Sequence, residues 1–277
     1  MNKILTIDYE SKNLGRDFAS SLKNTGFAII KNHPISKDLI HEIYREWELF
    51  FNSKDKHNYL FHPKKQDGYF PYLSENSKYS SEKDLKEFYH IYNWGRYPQN
   101  ISNKTNQLIA EFKIIAEKLL FEIHNNTPLK IKNNFSIPLN RMIQRSEANL
   151  LRIIHYPPLD GSEKIESVRA GAHEDINLIT LLVAGSQPGL QVLDQDNNWV
   201  NVSTSSDYIV VNVGDMLQTC SNNFYPSTTH RVINPKINNQ SRYSVPFFVH
   251  ARDDVVLSDK HTAKSYLEER LKEIGLK

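Results

Sequence analysis

Leu151-Arg152-Ile153-Ile154-His155-Tyr156-Pro157-Pro158 opens the part of the chain whose reading decides the fold, and Tyr243-Ser244-Val245-Pro246-Phe247-Phe248-Val249-His250 closes it. Residues 151–155, 177–183, 189–193, 208–213, 216–220, 230–233 and 243–250 are all short and apolar, rich in β-branched and aromatic side chains, and read as strands. Turn signals separate them: Pro157-Pro158, Asp160-Gly161, Gly185, Pro188-Gly189, Asp196-Asn197-Asn198 and Gly214-Asp215. Many short strands in succession predict a β-sandwich or a jelly-roll barrel with helices packed outside.

Upstream the pattern changes period. Leu14, Phe18 and Leu22 recur at helical spacing within 13–24, and Gly26-Phe27-Ala28-Ile29-Ile30 reads as a short buried strand. Ser36 stands as N-cap to a helix over 37–51, whose stripe is Leu39, Ile43, Trp47 and Phe50. Residues 53–100 are polar, aromatic and irregular, either a lid over a substrate or a folded-back satellite core. A long helix over 104–125 presents Leu108, Phe112, Ile115, Leu119 and Ile123, and a last one over 260–274 uses Tyr266, Leu267, Leu271 and Ile274. The 277 residues can bury a large core. They divide as one domain into a helical and aromatic front (1–148), a β core (149–252) and a C-terminal helix (253–277).

Composition narrows the function classes. A formal net charge of +2 gives no support to a nucleic-acid partner, which needs a clustered basic face. The single cysteine, Cys220, rules out a disulfide within the chain, favours a reducing compartment, and reads as a small buried residue rather than a reactive thiol. The first residues lack a secretory h-region, and no run approaches the roughly 18 apolar residues of a membrane span. The chain is expected to be soluble and cytoplasmic, with a small-molecule substrate, no membrane association and no obligate protein partner.

His173-Glu174-Asp175, followed far downstream by His230, carries the chemistry. On extended backbone, residues i and i+2 share a face, so His173 and Asp175 can aim at one ion while Glu174 points away. Two neutral imidazoles and one carboxylate suit Fe(II), and Mn, Co or Zn would fit the same donors. His-x-Asp alone is weak in a chain with 11 His and 32 acidic residues, where a solvated pair is the ordinary explanation. Arg242-Tyr243-Ser244 strengthens it. Arg242 and Ser244 also share a face, and a guanidinium fork with a hydroxyl is a natural clamp for a carboxylate. In isolation Arg242 would be a surface residue at a strand start, but the apolar run after it turns this strand toward the core.

At these residues the chain resembles the isopenicillin N synthase-like family of non-haem iron, 2-oxoglutarate-dependent oxygenases. Gly26-Phe27-Ala28-Ile29-Ile30-Lys31-Asn32-His33 is similar to that family's first strand, Leu151 to Pro158 to its tyrosine-bearing strand, and Gly189-Leu190-Gln191-Val192 and Asn212-Val213-Gly214-Asp215-Met216-Leu217 to two further segments. His230-Arg231-Val232 and Arg242 to Phe248 complete the match. The resemblance implies a mostly β chain with flanking helices around a distorted double-stranded β-helix (jelly roll). It implies Fe(II) on His173, Asp175 and His230, the distal carboxylate of 2-oxoglutarate on Arg242 and Ser244, Tyr156 assisting there, and dioxygen as oxidant. Position 154 is Ile where many plant relatives carry Asn, so one polar contact to the co-substrate is missing or replaced. Tyr156 reads equally well as a strand tyrosine packed on Pro157.

The expected activity is hydroxylation or desaturation of a small molecule, releasing succinate and CO2. Arg-x-Ser also occurs in relatives that use no 2-oxoglutarate, which leaves an iron oxidase performing oxidative cyclisation as a second reading. A non-catalytic jelly-roll binding protein is a third, because fold alone does not dictate function. Tyr69, Tyr92, Asn93 and Phe248 are the candidate substrate contacts, with core packing the competing role for the aromatic ones. Arg152 is open between a substrate carboxylate and an internal acid, and the loop 164–169 could close over the site.

Overall fold

The computed structural model describes residues 3–76, 82–183, 185–203, 205, 207–237 and 239–273. In chain order the first half contains β1 (Thr6–Asp8), α1 (Leu14–Thr25), β2 (Phe27–Lys31), α2 (Lys37–Asn52), β3 (Gly68–Phe70), β4 (Glu87–Ile91) and α3 (Lys104–Asn126), then the one-turn helices α4 (Leu129–Lys132) and α5 (Leu139–Met142). The second half contains β5 (Leu150–Tyr156), β6 (Ala170–His173), β7 (Ile179–Val183), β8 (Leu190–Leu193), β9 (Trp199–Asn201), β10 (Tyr208–Val213), α6 (Asp215–Cys220), β11 (His230–Val232), β12 (Arg242–Val249) and α7 (Ala263–Glu273).

The strands form two facing sheets that do not close into a barrel, one ordered β1-β2-β10-β7-β12-β5-β4-β3 and the other β6-β11-β8-β9. This is a jelly-roll core with helices on one side. Period-2 alternation sorts every strand of the large sheet between two environments. Ile209, Val211 and Val213 of β10, Ile179, Leu181 and Val183 of β7, and Tyr243, Val245, Phe247 and Val249 of β12 join the main apolar cluster with Phe18, Trp47, Phe112 and Leu119 of the helices. The opposite parity faces the small sheet. Phe27, Ile29 and Val210 meet Leu190 and Val192 there, and Phe70, Phe88, Ile154 and Tyr156 meet Ala170 and Val232.

Three expectations change. Residues 216–220 are helical, not a strand. Five apolar-rich residues fit either element, and the helix follows from long-range capping: the amides of Asp215 and Met216 donate to the carbonyls of Asp175 (2.7 Å) and Asn177 (3.1 Å). The segment 53–100 contributes β3 and β4 to the large sheet, which makes Tyr69, Phe70, Phe88 and Tyr89 sheet residues; β1, β6 and β9 were also too short to stand out. Ser36 occupies the N-cap of α2 but makes no side-chain capping bond. Cys220 is buried as expected, and burial pushes its thiol up to about 12. Among the described residues no helix is long and apolar enough to cross a membrane. Asn238 of the turn before β12 and Ile274 of the last helix lie outside the described residues.

Candidate metal and carboxylate site

His173 ends β6 and His230 begins β11, and the antiparallel register pairs them directly, with ring centroids 4.4 Å apart. Asp175 follows in the turn toward β7. One nitrogen of each imidazole and one oxygen of Asp175 lie within 4.8 Å of one another. Both Nε2 atoms are 3.9 Å from Asp175 Oδ1.

The remaining polar atoms of the three residues are committed elsewhere, which decides where the free lone pairs point. His173 Nδ1 is 2.8 Å from the carbonyl of Gly171, and His230 Nδ1 is 3.2 Å from that of Thr228. A carbonyl only accepts, so each Nδ1 carries the proton and each Nε2 presents its lone pair inward. Asp175 Oδ2 accepts from Thr180 Oγ1 at 2.6 Å and from Asn212 Nδ2 at 2.8 Å, leaving Oδ1 for the shared centre. Glu174 turns away and accepts from Thr229 Oγ1 at 2.5 Å, tying the segment of one histidine to that of the other.

Electrostatics agree with this assignment. Burial, with the nearby His230 and Lys86, pushes His173 down to about 4, so its imidazole is neutral near pH 7. Burial opposes the charged form of Asp175, but the two imidazoles and the bonds from Asn212 and Thr180 outweigh it and hold the carboxyl below its ordinary value. Two neutral nitrogens and one carboxylate oxygen on one side of a point are a donor set that fits a divalent transition metal with open positions opposite.

Arg242 and Ser244 occupy inward-facing positions of β12, and Tyr156 is the cross-strand partner of Arg242 on β5. Arg242 is 1% exposed, and its guanidinium lies 5.0 Å from the Tyr156 ring centroid. Its Nε donates to the Gln187 carbonyl at 3.0 Å, while its buried Nη1 has no partner among the described residues. Position 185 must be glycine for this placement, since a Cβ there would come within 2.7 Å of Arg242 Nη2. A buried cation with an unused donor and no salt bridge among the described residues fits an anionic ligand, because either lack is costly without one.

The four candidate substrate contacts separate. Tyr69 faces the helices, packs on Phe50 and donates to the Glu87 carboxylate, so the pleat turns it out of the space between the sheets. Asn93 is exposed and bonded to Lys113, and with Tyr92 it lines a surface cavity of about 410 Å³ against α3. Tyr92 stacks on Trp94 with ring centroids 4.5 Å apart. Phe248 alone of the four is inward-facing in β12. Arg152 resolves toward the internal acid: Nη1 lies 3.3 Å from Glu75, Nε donates to His90 Nε2 at 2.8 Å, and the guanidinium covers Phe88. The loop 164–169 is anchored at its end, with Ser167 and Arg169 buried.

Thr180 and Asn212, the two residues that hold Asp175, were not legible as such in the sequence. Asn212 carried a visible signal, a polar residue inside the apolar run of β10; Thr180 carried none.

Comparison with known proteins follows the same lines. The family model of the 2OG-Fe(II) oxygenase superfamily matches residues 147–251, and that of the non-haem dioxygenase N-terminal region, described from morphine synthesis, matches residues 4–111. A UPF0676 protein of Schizosaccharomyces pombe is 30% identical over 261 residues, covering 88% of this chain and 79% of that protein. The 2-oxoglutarate-dependent dioxygenase HtyE of Aspergillus rugulosus is 29% identical over 271 residues, covering 87% and 82%. Among solved structures, a Shewanella oneidensis protein described as an oxygenase superposes with a TM-score of 0.89 at 45% identity, covering 99% of both chains.

Proposed function

Because the chain belongs to the 2OG-Fe(II) oxygenase superfamily, we propose that it hydroxylates or desaturates a small molecule with Fe(II) held by His173, Asp175 and His230 and with 2-oxoglutarate held by Arg242, Ser244 and Tyr156. The observation that carries the assignment is the convergence of two inward Nε2 lone pairs and Asp175 Oδ1 on one point. Bound Fe(II), 2-oxoglutarate and dioxygen supply the oxidising chemistry, with succinate and CO2 released.

The protein's own contribution is orientation and dryness. Carbonyls of Gly171 and Thr228 fix both imidazole tautomers, and Thr180 and Asn212 fix the rotation of the Asp175 carboxylate. Arg242 neutralises the remote carboxylate of the co-substrate, with Ser244 beside it on the same face of β12. Phe70, Phe88, Ile154, Ala170 and Val232 form the apolar wall that keeps bulk water from this end of the interior. Ile154 adds no hydrogen bond where some relatives carry Asn. Of the candidate substrate contacts, Phe248 is retained.

Anaerobic titration of the apo-protein with Fe(II) and 2-oxoglutarate tests the reading through the weak visible band of the metal–oxoacid chelate. The band should form in wild type, vanish in His173→Ala, and require much more 2-oxoglutarate in Arg242→Ala. Fe(II) binding without a band would point to an oxidase that uses no 2-oxoglutarate. Absence of Fe(II) binding would leave a non-catalytic binding protein.

A further inference from the structure

Arg169 is as deeply buried as Arg242, at 1% exposure, and lies at the entry to β6. Its Nη2 donates to the Gln240 carbonyl at 2.7 Å, and its backbone amide donates to Asn234 Oδ1 at 3.0 Å. Its Nε is buried without a partner among the described residues, as is Nη1 of Arg242. Both guanidinium groups approach one ring: Arg169 lies 6.0 Å from the Tyr156 centroid and Arg242 5.0 Å. Neither forms a salt bridge among the described residues. Burial first, and then the charge of Arg242, pull the Arg169 pKa down, and Tyr156 alone opposes them. Two like charges buried near each other, each with an unused donor, are unfavourable unless an anion compensates them.

We propose that Arg169 is a second binding residue for the co-substrate, its guanidinium sharing with Arg242 the remote carboxylate of a 2-oxo diacid. The inference rests on the reading of Arg242 as the clamp. A carboxylate has two oxygens and accepts a donor on each, so two guanidinium groups can divide it. The site would then select strongly for a five-carbon diacid over a 2-oxo acid lacking the far carboxylate. The competing role for Arg169 is that of a brace, acting only through the Gln240 carbonyl to place the start of β12.

The test is a double-mutant cycle on binding. Fe(II)-loaded wild type, Arg169→Met, Arg242→Ala and the double variant are titrated anaerobically with 2-oxoglutarate and with 2-oxopentanoate, which keeps the chelating end and lacks the remote carboxylate. Loss of a charge-assisted bond predicts about 10–100-fold weaker 2-oxoglutarate binding in Arg169→Met, with 2-oxopentanoate unaffected. The decisive arm is the Arg242→Ala background, where Arg169→Met must weaken 2-oxoglutarate further. Arg169→Lys, which keeps the charge, should recover part of the loss and serves if the Met variant does not fold. Silence of Arg169→Met in the Arg242→Ala background, or equal weakening of both acids, overturns the proposal and leaves the brace. Equal affinity of wild type for the two acids would overturn the Arg242 clamp as well, a separate outcome.

Discussion

Asp175 is held by two donors that never touch the metal point, and removing either should weaken metal binding by a predictable amount. Thr180→Val deletes the 2.6 Å bond to Oδ2 with little change of shape, and Asn212→Leu deletes the 2.8 Å bond. Each is a hydrogen bond to a buried carboxylate, worth about 1.5–3 kcal/mol. Part of that cost falls on the metal-free protein, where an oxygen of a 7% exposed residue loses a partner. The rest appears as affinity, because a carboxylate free to rotate or take up a proton no longer offers Oδ1 at the shared point. Loss of such an outer partner is expected to cost about 10–100-fold in metal affinity. Thr180→Val should cost more than its one bond, since Thr180 Oγ1 also accepts from Asn177 Nδ2 at 3.0 Å. Anaerobic competition for Fe(II) against a chromophoric chelator measures the affinity, and denaturant unfolding of the apo-protein measures the stability share. A folded Thr180→Val or Asn212→Leu variant that binds Fe(II) as tightly as wild type would refute the argument that the Oδ2 bonds orient Asp175.

Three further outcomes follow from the same structure. Phe112→Ala removes a fully buried ring stacked on Phe247 of β12, at 5.5 Å between centroids, and should lower unfolding free energy in urea by about 3–5 kcal/mol. Gly26→Ala forces a side chain onto a backbone with φ of +70°, with the new Cβ 2.6 Å from the Pro226 carbonyl; it should destabilise by at least about 1–2 kcal/mol and, acting through the adjacent Thr228, weaken Fe(II) binding. Burial raises the Glu87 carboxyl, but bonds from His155, Tyr69 and Lys56 outweigh it and hold the pKa below the ordinary value. On acidification the unfolded chain therefore takes up this proton first, so the stabilisation is complete above about pH 4.3 and drains as pH falls through the lower folded value. Urea unfolding across that range should give a shallower acid-side loss for Glu87→Gln than for wild type.

Parity explains most of what could be read in advance. In β7, β10 and β12 both faces are covered, so the strands read as nearly continuous apolar runs and were recognisable by length and composition. The misread segments fail that criterion for physical reasons. β4 contains Glu87 and His90, polar residues that become buried only because Lys56, His155 and Arg152 reach them from distant positions. α6 depends on the carbonyls of Asp175 and Asn177. These partners are close in space and far in sequence, and no local pattern encodes them.

The same parity separates the legible part of the site from the hidden part. The outward side of β7, β10 and β12 is apolar, whereas their inward side is interrupted at Thr180, Asn212, Arg242 and Ser244, and β5 adds Arg152. Every inward polar group taken from water needs a partner to offset desolvation. Thr180 and Asn212 find theirs in Asp175, and Arg152 in Glu75 and His90. Arg242 is left with an unused donor. His-x-Asp, the distant His and Arg-x-Ser could be recognised because their spacing along the chain reflects where they meet. Arg169 could not, because what sets it apart is that no acid pairs with it among the described residues, and that leaves no trace in the local sequence. The lack of an acid at two arginines near one tyrosine ring, among the described residues, is what the proposed reading expects of a pocket whose carboxylate comes from a ligand and not from the chain.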